Sequence, residues 1–295
     1  MNKPTLTKNL FELNLAILFI STSGVLGRYI DLPSPITIGL RALLACLALS
    51  LFCTCKKANF QLQTKDRTTI LFSGILLGLH WTTYFYALQL SNVAIGMLSL
   101  FTFPAITAIL EPIILKTKVL KVHLLLSLLV LVGIYFLVPD FSLQNNQFKA
   151  VGFGVLSAFC YALRNIAMKS KIESYDGSVL MVYQLFIIAV LWSPFFFFLD
   201  SSNLITYLPA TILLALLTTA IGHTLFLYSL KNFSTITASI ISCTQPIYGI
   251  LIALIVLGEI PKPTTIIGGL IIISTVLVES IRLRQSEKKQ PKDLA

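Results

Sequence analysis

The sequence predicts an all-α integral membrane protein: ten transmembrane helices arranged as two inverted five-helix repeats. Three observations carry that expectation. Hydrophobic residues make up 56% of the 295 and charged residues only 12%, with a mean hydropathy of +0.86, whereas a water-soluble domain is about a quarter charged. Apolar runs of about 20 residues, the length that crosses a bilayer, recur along the chain. Third, the stretch from His80 to Thr117 shares its plan with the stretch from Gly222 to Glu259, 142 residues later.

The repeat is read in register. Thr82 meets Thr224, Tyr86 meets Tyr228, Leu88 meets Leu230, Thr102 meets Thr244 and Pro104 meets Pro246. In each copy an apolar helix with an aromatic-rich end passes through a short polar break, Gln89 to Asn92 or Lys231 to Ser234, into a second apolar helix interrupted by proline. A proline in mid-helix removes one backbone hydrogen bond and bends the rod. In lipid the freed carbonyl needs a neighbouring helix or a wet cavity. Helix kinks at Pro104 and Pro246 are therefore expected beside a central pathway.

Taken in order, the runs fall at 10–30, 35–55, 68–89, 92–115, 120–138, 150–169, 178–199, 206–230, 235–257 and 263–281. Lys3 and Lys8 before the first run resemble a signal peptide, yet no clean small-x-small cleavage site follows and the run is span-length, so it reads as helix one. With the N-terminus in the cytoplasm, 17 of the 22 basic residues fall in inside segments and two, Lys149 and Lys262, outside; Arg28, Arg41 and Arg164 lie within spans. That bias places both termini inside. The polar stretch from Pro139 to Lys149 links a first repeat, 1–143, to a second, 144–284, followed by a charged cytoplasmic tail, 285–295, read as disordered. Because five is odd, the second repeat is inverted relative to the first, an arrangement that puts a substrate site near the midplane.

Several function classes fall away. A net charge of +10 would suit a nucleic-acid binder, but the basic residues sit in short segments between apolar runs, so the expected partners are the bilayer and a small-molecule substrate, not nucleic acid. Cys46, Cys53, Cys55, Cys160 and Cys243 lack paired metal spacing and read as packing residues. His80, His123 and His223 fall in different helices and form no metal pair. There is no phosphate-cradling loop, no nucleophile elbow and no pair of carboxylates in one span. No cofactor and no enzyme chemistry are expected, and an ATP-driven pump is excluded for this chain alone.

Charges within spans are the sharpest signal, since an ionised side chain at the bilayer centre costs roughly 2.5–3.5 kcal/mol on insertion scales. Arg164, with Tyr161 one turn before it, has two readings: a guanidinium that holds an anionic group in the cavity, or one that snorkels to the cytoplasmic headgroups. Glu111 is either a proton-coupling carboxylate or an interfacial partner of Lys116 or Lys118. His80, Trp81 and Tyr84 on helix three form a substrate-binding aromatic face or part of an interfacial belt. Their mid-span position weakens the belt reading. His223 stands opposite Trp81 in the repeat and is read as substrate-binding or as a satisfied packing residue; Gln245 lies beside the second kink and is read as substrate-binding, although Ser242 and Thr244 could serve the freed backbone there instead. Arg28 and Arg41 lie near the outer ends of helices one and two, where Asp31 could partner either; Arg28 is a candidate gate, and Arg41 is read as structural. The glycine pairs Gly24 and Gly27, Gly74 and Gly78, Gly152 and Gly154, and Gly268 and Gly269 permit close helix approach.

Ten spans in two repeats, the phrase from Tyr86 to Ser91, its partner from Tyr228 to Asn232, the Leu257 to Glu259 closure of helix nine, and the Pro35 to Arg41 spacing resemble the EamA-type branch of the drug/metabolite transporter superfamily. The resemblance implies a secondary transporter of small metabolites that works by alternating access, with export from a bacterial-type inner membrane as its direction. It does not choose between proton coupling and an uncoupled uniporter or exchanger, nor between monomer and homodimer. An intramembrane enzyme or a receptor is the runner-up from another class. One departure from the family pattern is Thr117, which stands where Glu259 stands in the second repeat; Glu259 is accordingly read as closing a helix end.

Overall fold

The computed structural model describes residues 3–116, 121–136, 145–198 and 201–289, and every regular element in them is helical. In chain order these are α1 (Lys3–Tyr29), α2 (Ser34–Cys55), α3 (Thr64–Leu90), α4 (Val93–Leu100), α5 (Phe103–Leu115), α6 (Lys121–Tyr135), α7 (Asn146–Lys169) and α8 (Gly177–Trp192), the last running into a 3-10 turn at Ser193–Phe198. There follow α9 (Ser201–Leu213), a π-helical stretch (Leu214–His223), α10 (Thr224–Ser229), α11 (Thr235–Ile241), a 3-10 turn (Ser242–Thr244), α12 (Gln245–Leu257) and α13 (Pro263–Lys289). Eight helical stretches among the described residues are long and apolar enough to cross a membrane, and a shorter apolar one runs Lys121–Gly133. Large apolar side chains such as Phe72, Leu251, Ile255 and Leu270 cover the outside, so this is a multi-pass membrane protein whose outer surface suits lipid.

The junction at Thr117 and Lys118, and most of the link between the halves, lie outside the described residues. The last helix continues through Gln285 to Lys289, so the first five residues of the expected tail are helical. That segment, Gln-Ser-Glu-Lys-Lys, contains no Gly or Pro, and four of its five residues are good helix formers.

Local chemistry explains the breaks. Asn92 caps α4 by accepting the Ile95 N–H at 2.9 Å, and Ser234 caps α11 by accepting the Thr237 N–H at 3.1 Å, each satisfying an N–H that the first turn leaves free. The two caps are 142 residues apart, as are the left-handed ends Lys116 (φ 52°) and Gly258 (φ 68°). The interruptions near Pro104 and Pro246 fall on the residues before each proline, Phe101–Thr102 and Ser242–Thr244. Each proline sits in the first turn of the following half-helix, where its missing N–H is no loss. The π stretch was not read from the sequence; within it the Thr219 hydroxyl donates to the Leu214 carbonyl at 3.2 Å.

The strongest packing joins the halves to each other. α3 lies against α7, α2 against α8, α1 against the π stretch and α12, α4 against α7, and α6 against α13. Close approach depends on particular glycines. A methyl group built on Gly154 would lie 1.9 Å from the Ser99 hydroxyl and 2.5 Å from its Cβ, whereas one on Gly152 would meet nothing. Of that pair, Gly154 alone is the contact. At the ends of the helices, Lys56 pairs with Asp176 at 2.9 Å, the Tyr228 hydroxyl donates to the same carboxylate, and Asp176 caps α8 through the Ser178 N–H at 2.8 Å. Burial alone would raise the Asp176 carboxyl, but these hydrogen bonds outweigh it and hold the pKa at about 2, below the ordinary 3.8.

Two outcomes are expected. Gly154→Ala lowers stability in detergent by about 1–3 kcal/mol through overpacking, while Gly152→Ala is neutral or gains up to about 1 kcal/mol from helix propensity; equal melting shifts for the two would contradict the packing. Asp176→Asn costs about 1 kcal/mol at neutral pH, the upper end for a partly exposed pair. Because the carboxyl is depressed in the folded state, its contribution is complete above the ordinary value of 3.8 and fades as pH falls toward about 2. The melting difference between wild type and variant is therefore constant down to that range and then closes.

Candidate functional site

The centre of the molecule is a nest of rings built from both halves. The His80 Nδ1 lies 2.7 Å from the Ser157 hydroxyl and 3.2 Å from the Ser157 carbonyl, and that hydroxyl donates to the His80 carbonyl at 2.8 Å. A hydroxyl has one proton to give, and a carbonyl only accepts. The imidazole proton is thereby assigned to Nδ1, which leaves Nε2 an acceptor. The His80 ring stacks on Tyr161 with centroids 4.3 Å apart, and Tyr161 meets Phe103 edge-on at 5.1 Å. Trp81 meets His223 edge-on at 5.1 Å, and His223 stands 6.4 Å from Tyr161.

These rings enclose a cavity lined by Ile20, Ser23, His80, Trp81, Tyr84, Leu100, Phe103, Tyr161, His223 and Gln245. Six residues singled out from the sequence, His80, Trp81, Tyr84, Tyr161, His223 and Gln245, therefore share one wall system. The two helix breaks contribute to it as well, through Leu100, Phe103 and Gln245. At about 10 Å³ the space holds about one water, so the centre is closed.

Arg164 is fully buried but is not among the lining residues. Its guanidinium donates to the Gln184 side-chain oxygen at 2.8 Å and the Asn165 side-chain oxygen at 3.0 Å, and meets the Met181 sulfur at 3.7 Å. Arg41 is equally buried. Its Nε donates to the Thr219 hydroxyl at 2.5 Å, and its Cζ lies 3.9 Å from the Trp81 ring centroid, a cation–π distance. Neither arginine is recorded in an ion pair among the described residues, and Arg41 Nη1 and Nη2 have no hydrogen-bond partner.

At the two ends of the α4–α5 and α11–α12 spans sit matching clasps. Arg28, on α1, pairs with Glu259 at 3.4 Å and donates to the Gln89 carbonyl at 3.3 Å, while Glu259 accepts the Val93 N–H at 3.0 Å, the first of α4. At the other end Lys169, on α7, donates to the Leu230 carbonyl at 2.5 Å, while the buried Glu111 accepts the Thr235 N–H at 3.1 Å, the first of α11. A carboxylate at a helix N-terminus is favoured both by the free N–H and by the helix dipole. Each half thus supplies the carboxylate that seats the other half's broken helix. Asp31, expected as a partner of Arg28 or Arg41, is exposed; Arg28 reaches Glu259 and Arg41 reaches Thr219 instead. A pocket of about 380 Å³, lined by Asn92, Tyr135, Gln147, Glu259 and Lys262 among others, opens beside the first clasp.

The sequence reading missed Ser157 and the π stretch that aims Thr219 and His223, and it took Arg41 as structural without placing it beside the centre. For Arg41 a signal was present: it stands two turns inside its span with no carboxylate on the same helix.

The model of the EamA-like transporter family, by that description, matches residues 10–138 and again 148–280. An uncharacterized transporter of Synechocystis sp. is 28% identical over 242 residues, covering 76% of this chain and 67% of its own length. An uncharacterized transporter of Archaeoglobus fulgidus is 27% identical over 214 residues, covering 72% and 76% respectively. A protein of solved crystal structure superposes with a TM-score of 0.76 at 15% identity, covering 95% of this chain and 99% of the other, a likeness of fold. With the family model matching twice and spanning nearly the whole chain, this protein belongs to the EamA-like transporter family.

Proposed function

We propose that the protein is a secondary transporter of ten membrane-crossing helices in two inverted five-helix halves. It moves a small organic metabolite, amino-acid-like or amphiphilic, by alternating access, working as an exporter in the cell inner membrane with both termini in the cytoplasm. The observation that carries this reading is the pair of clasps built to one plan at opposite ends of a buried polar and aromatic cluster. A carrier must close at one end before it opens at the other, and two equivalent closures made from exchanged parts suit that requirement.

The packing supports the twofold relation. Exchanging the halves turns the α3–α7 contact into α1 against the π stretch and the α5–α7 contact into α1–α12, while α2–α8 and α6–α13 exchange with themselves. The two matches of one family model fit the same relation. His80, Trp81, Tyr84, Tyr161, His223 and Gln245 bind the substrate, Arg164 lends its charge beside them, Arg28 acts in the gate, and the breaks before Pro104 and Pro246 flex.

Proton coupling, if the carrier uses it, rests on Glu111. A specific observation favours the uncoupled uniporter or exchanger as the second reading: Glu111 accepts the Thr235 N–H at 3.1 Å and so has a structural part in closure. An imposed pH gradient that drives uptake in proteoliposomes, lost in Glu111→Gln, decides for coupling; indifference to the gradient with an active Glu111→Gln decides for the exchanger.

Counterflow of labelled solutes in proteoliposomes tests the transport reading itself, and saturable exchange is the expected result. Tyr161→Ala is expected to weaken it by roughly tenfold or more, corresponding to a loss of about 1.4 kcal/mol of binding. Absence of counterflow across a broad panel of metabolites would remove the carrier.

A further inference from the structure

We infer that Arg41 is the anchor for an anionic group on the cargo, and that the cargo is an organic anion with an apolar body rather than an amine or a zwitterion. The inference rests on the transporter reading and narrows its substrate class.

The central region holds donors without acceptors. Arg41 is 0% exposed, yet Nη1 and Nη2 have no partner, and Nε alone is engaged, by the Thr219 hydroxyl. The indole Nε1 of Trp81, the ring beneath the guanidinium, is likewise buried without an acceptor. Trp81 also lines the central cavity, so the arginine and the cavity share a wall. A buried guanidinium with two free nitrogens is costly to keep unless something recurrently occupies them. Its forked geometry matches a carboxylate or another oxyanion.

The second buried arginine sharpens the choice. Arg164 is hydrogen-bonded by Gln184 and Asn165 and touched by Met181, so its donors are used while its charge is uncompensated. It contributes field rather than contact. The ion pairs recorded among the described residues, such as those of Asp176, Asp66 and Glu259, all lie away from this centre, and none involves Arg41 or Arg164. An ammonium group entering here would meet two like charges and no carboxylate. A neutral solute would leave the charge as it stands. An anion neutralises it, and the rings of Phe103, Tyr161 and His80 receive the apolar remainder.

The Arg41–Thr219 bond also joins the first half to the second, so separation of the halves frees the guanidinium completely as the closed cavity widens. Binding of the anion and opening of the centre are thereby linked at one side chain.

The chain has two tryptophans, Trp81 and Trp192, so Trp192→Phe leaves Trp81 as the sole reporter. Purified protein of that background is titrated in detergent with phenylacetate, phenethylamine, phenylethanol and phenylalanine, reading Trp81 emission and melting temperature. Phenylacetate alone is expected to change both saturably. Arg41→Gln weakens that response tenfold or more, and Arg41→Lys, which keeps the charge but not the fork, falls between. Should Arg41→Gln fail to fold, the Arg41→Lys affinity and the four-probe selectivity decide the matter. An equal response to the amine, the alcohol or the zwitterion, a phenylacetate response unchanged by either Arg41 variant, or silence toward all four overturns the assignment. Phenylacetate binding without counterflow would sink the transporter reading and leave the anion site standing; counterflow of amines with phenylacetate inert would do the reverse.

Discussion

The structure depends on a rule of the lipid phase: a backbone N–H or carbonyl freed from its helix must find a partner inside the protein. Among the described residues two spans are broken before a proline, at the buried Phe101–Thr102 and at Ser242–Thr244, where Ser242 and Cys243 are buried and Thr244 is half-buried. Their carbonyls are met from within. Thr102 donates to Ser99 at 3.1 Å, Ser242 to Ala238 at 2.7 Å and Thr244 to Ile241 at 3.0 Å. Such backbone is tolerated where protein or a wet cavity surrounds it, and the small central cavity lies beside both breaks. The position of the site follows from this constraint before any particular ligand is considered.

The same economy governs the ends. Each half-helix that begins after a polar break has first-turn N–H groups to satisfy, and a side-chain cap, Asn92 or Ser234, takes one of them. A carboxylate from the opposite half takes the N–H of the first residue. The capping requirement of one half is thereby met only when the other half is in place. The closures at the two ends therefore share a physical basis, a first-turn N–H of one half seated on a carboxylate of the other.

Much of this was legible in the sequence, for physical reasons. Apolar runs of span length have one solution in lipid, and each of the eight stretches of span length corresponds to an expected run. The polar breaks and the aromatic identity of His80, Trp81, Tyr161 and His223 were equally plain, because a polar ring in mid-span has few comfortable surroundings. What stayed hidden depends on tertiary contact. Arg41 was assigned to the outer end of its helix from distance along the chain, but burial against Trp81 and Thr219 involves residues 40 and 178 positions away. Glu259 was recognised as closing a helix end; that it seats α4 of the other half was not readable from its own helix. The π stretch left no mark because the residues from Leu214 to His223 would serve an α-helix as well.

The central claim is that the two halves enclose a crevice that water reaches in turn from each end. It is tested most directly by single cysteines introduced into a cysteine-free background at His80 and Gln245, with Phe72 and Leu251 as outward-facing controls, and a charged, membrane-impermeant thiol reagent applied from each side of the membrane. The account predicts that the His80 and Gln245 positions react from both sides, at rates that substitution of Arg28 or Glu111 changes, while the Phe72 and Leu251 positions stay inert. Inert cysteines at His80 and Gln245 under all these conditions, or controls that react as fast, would contradict it.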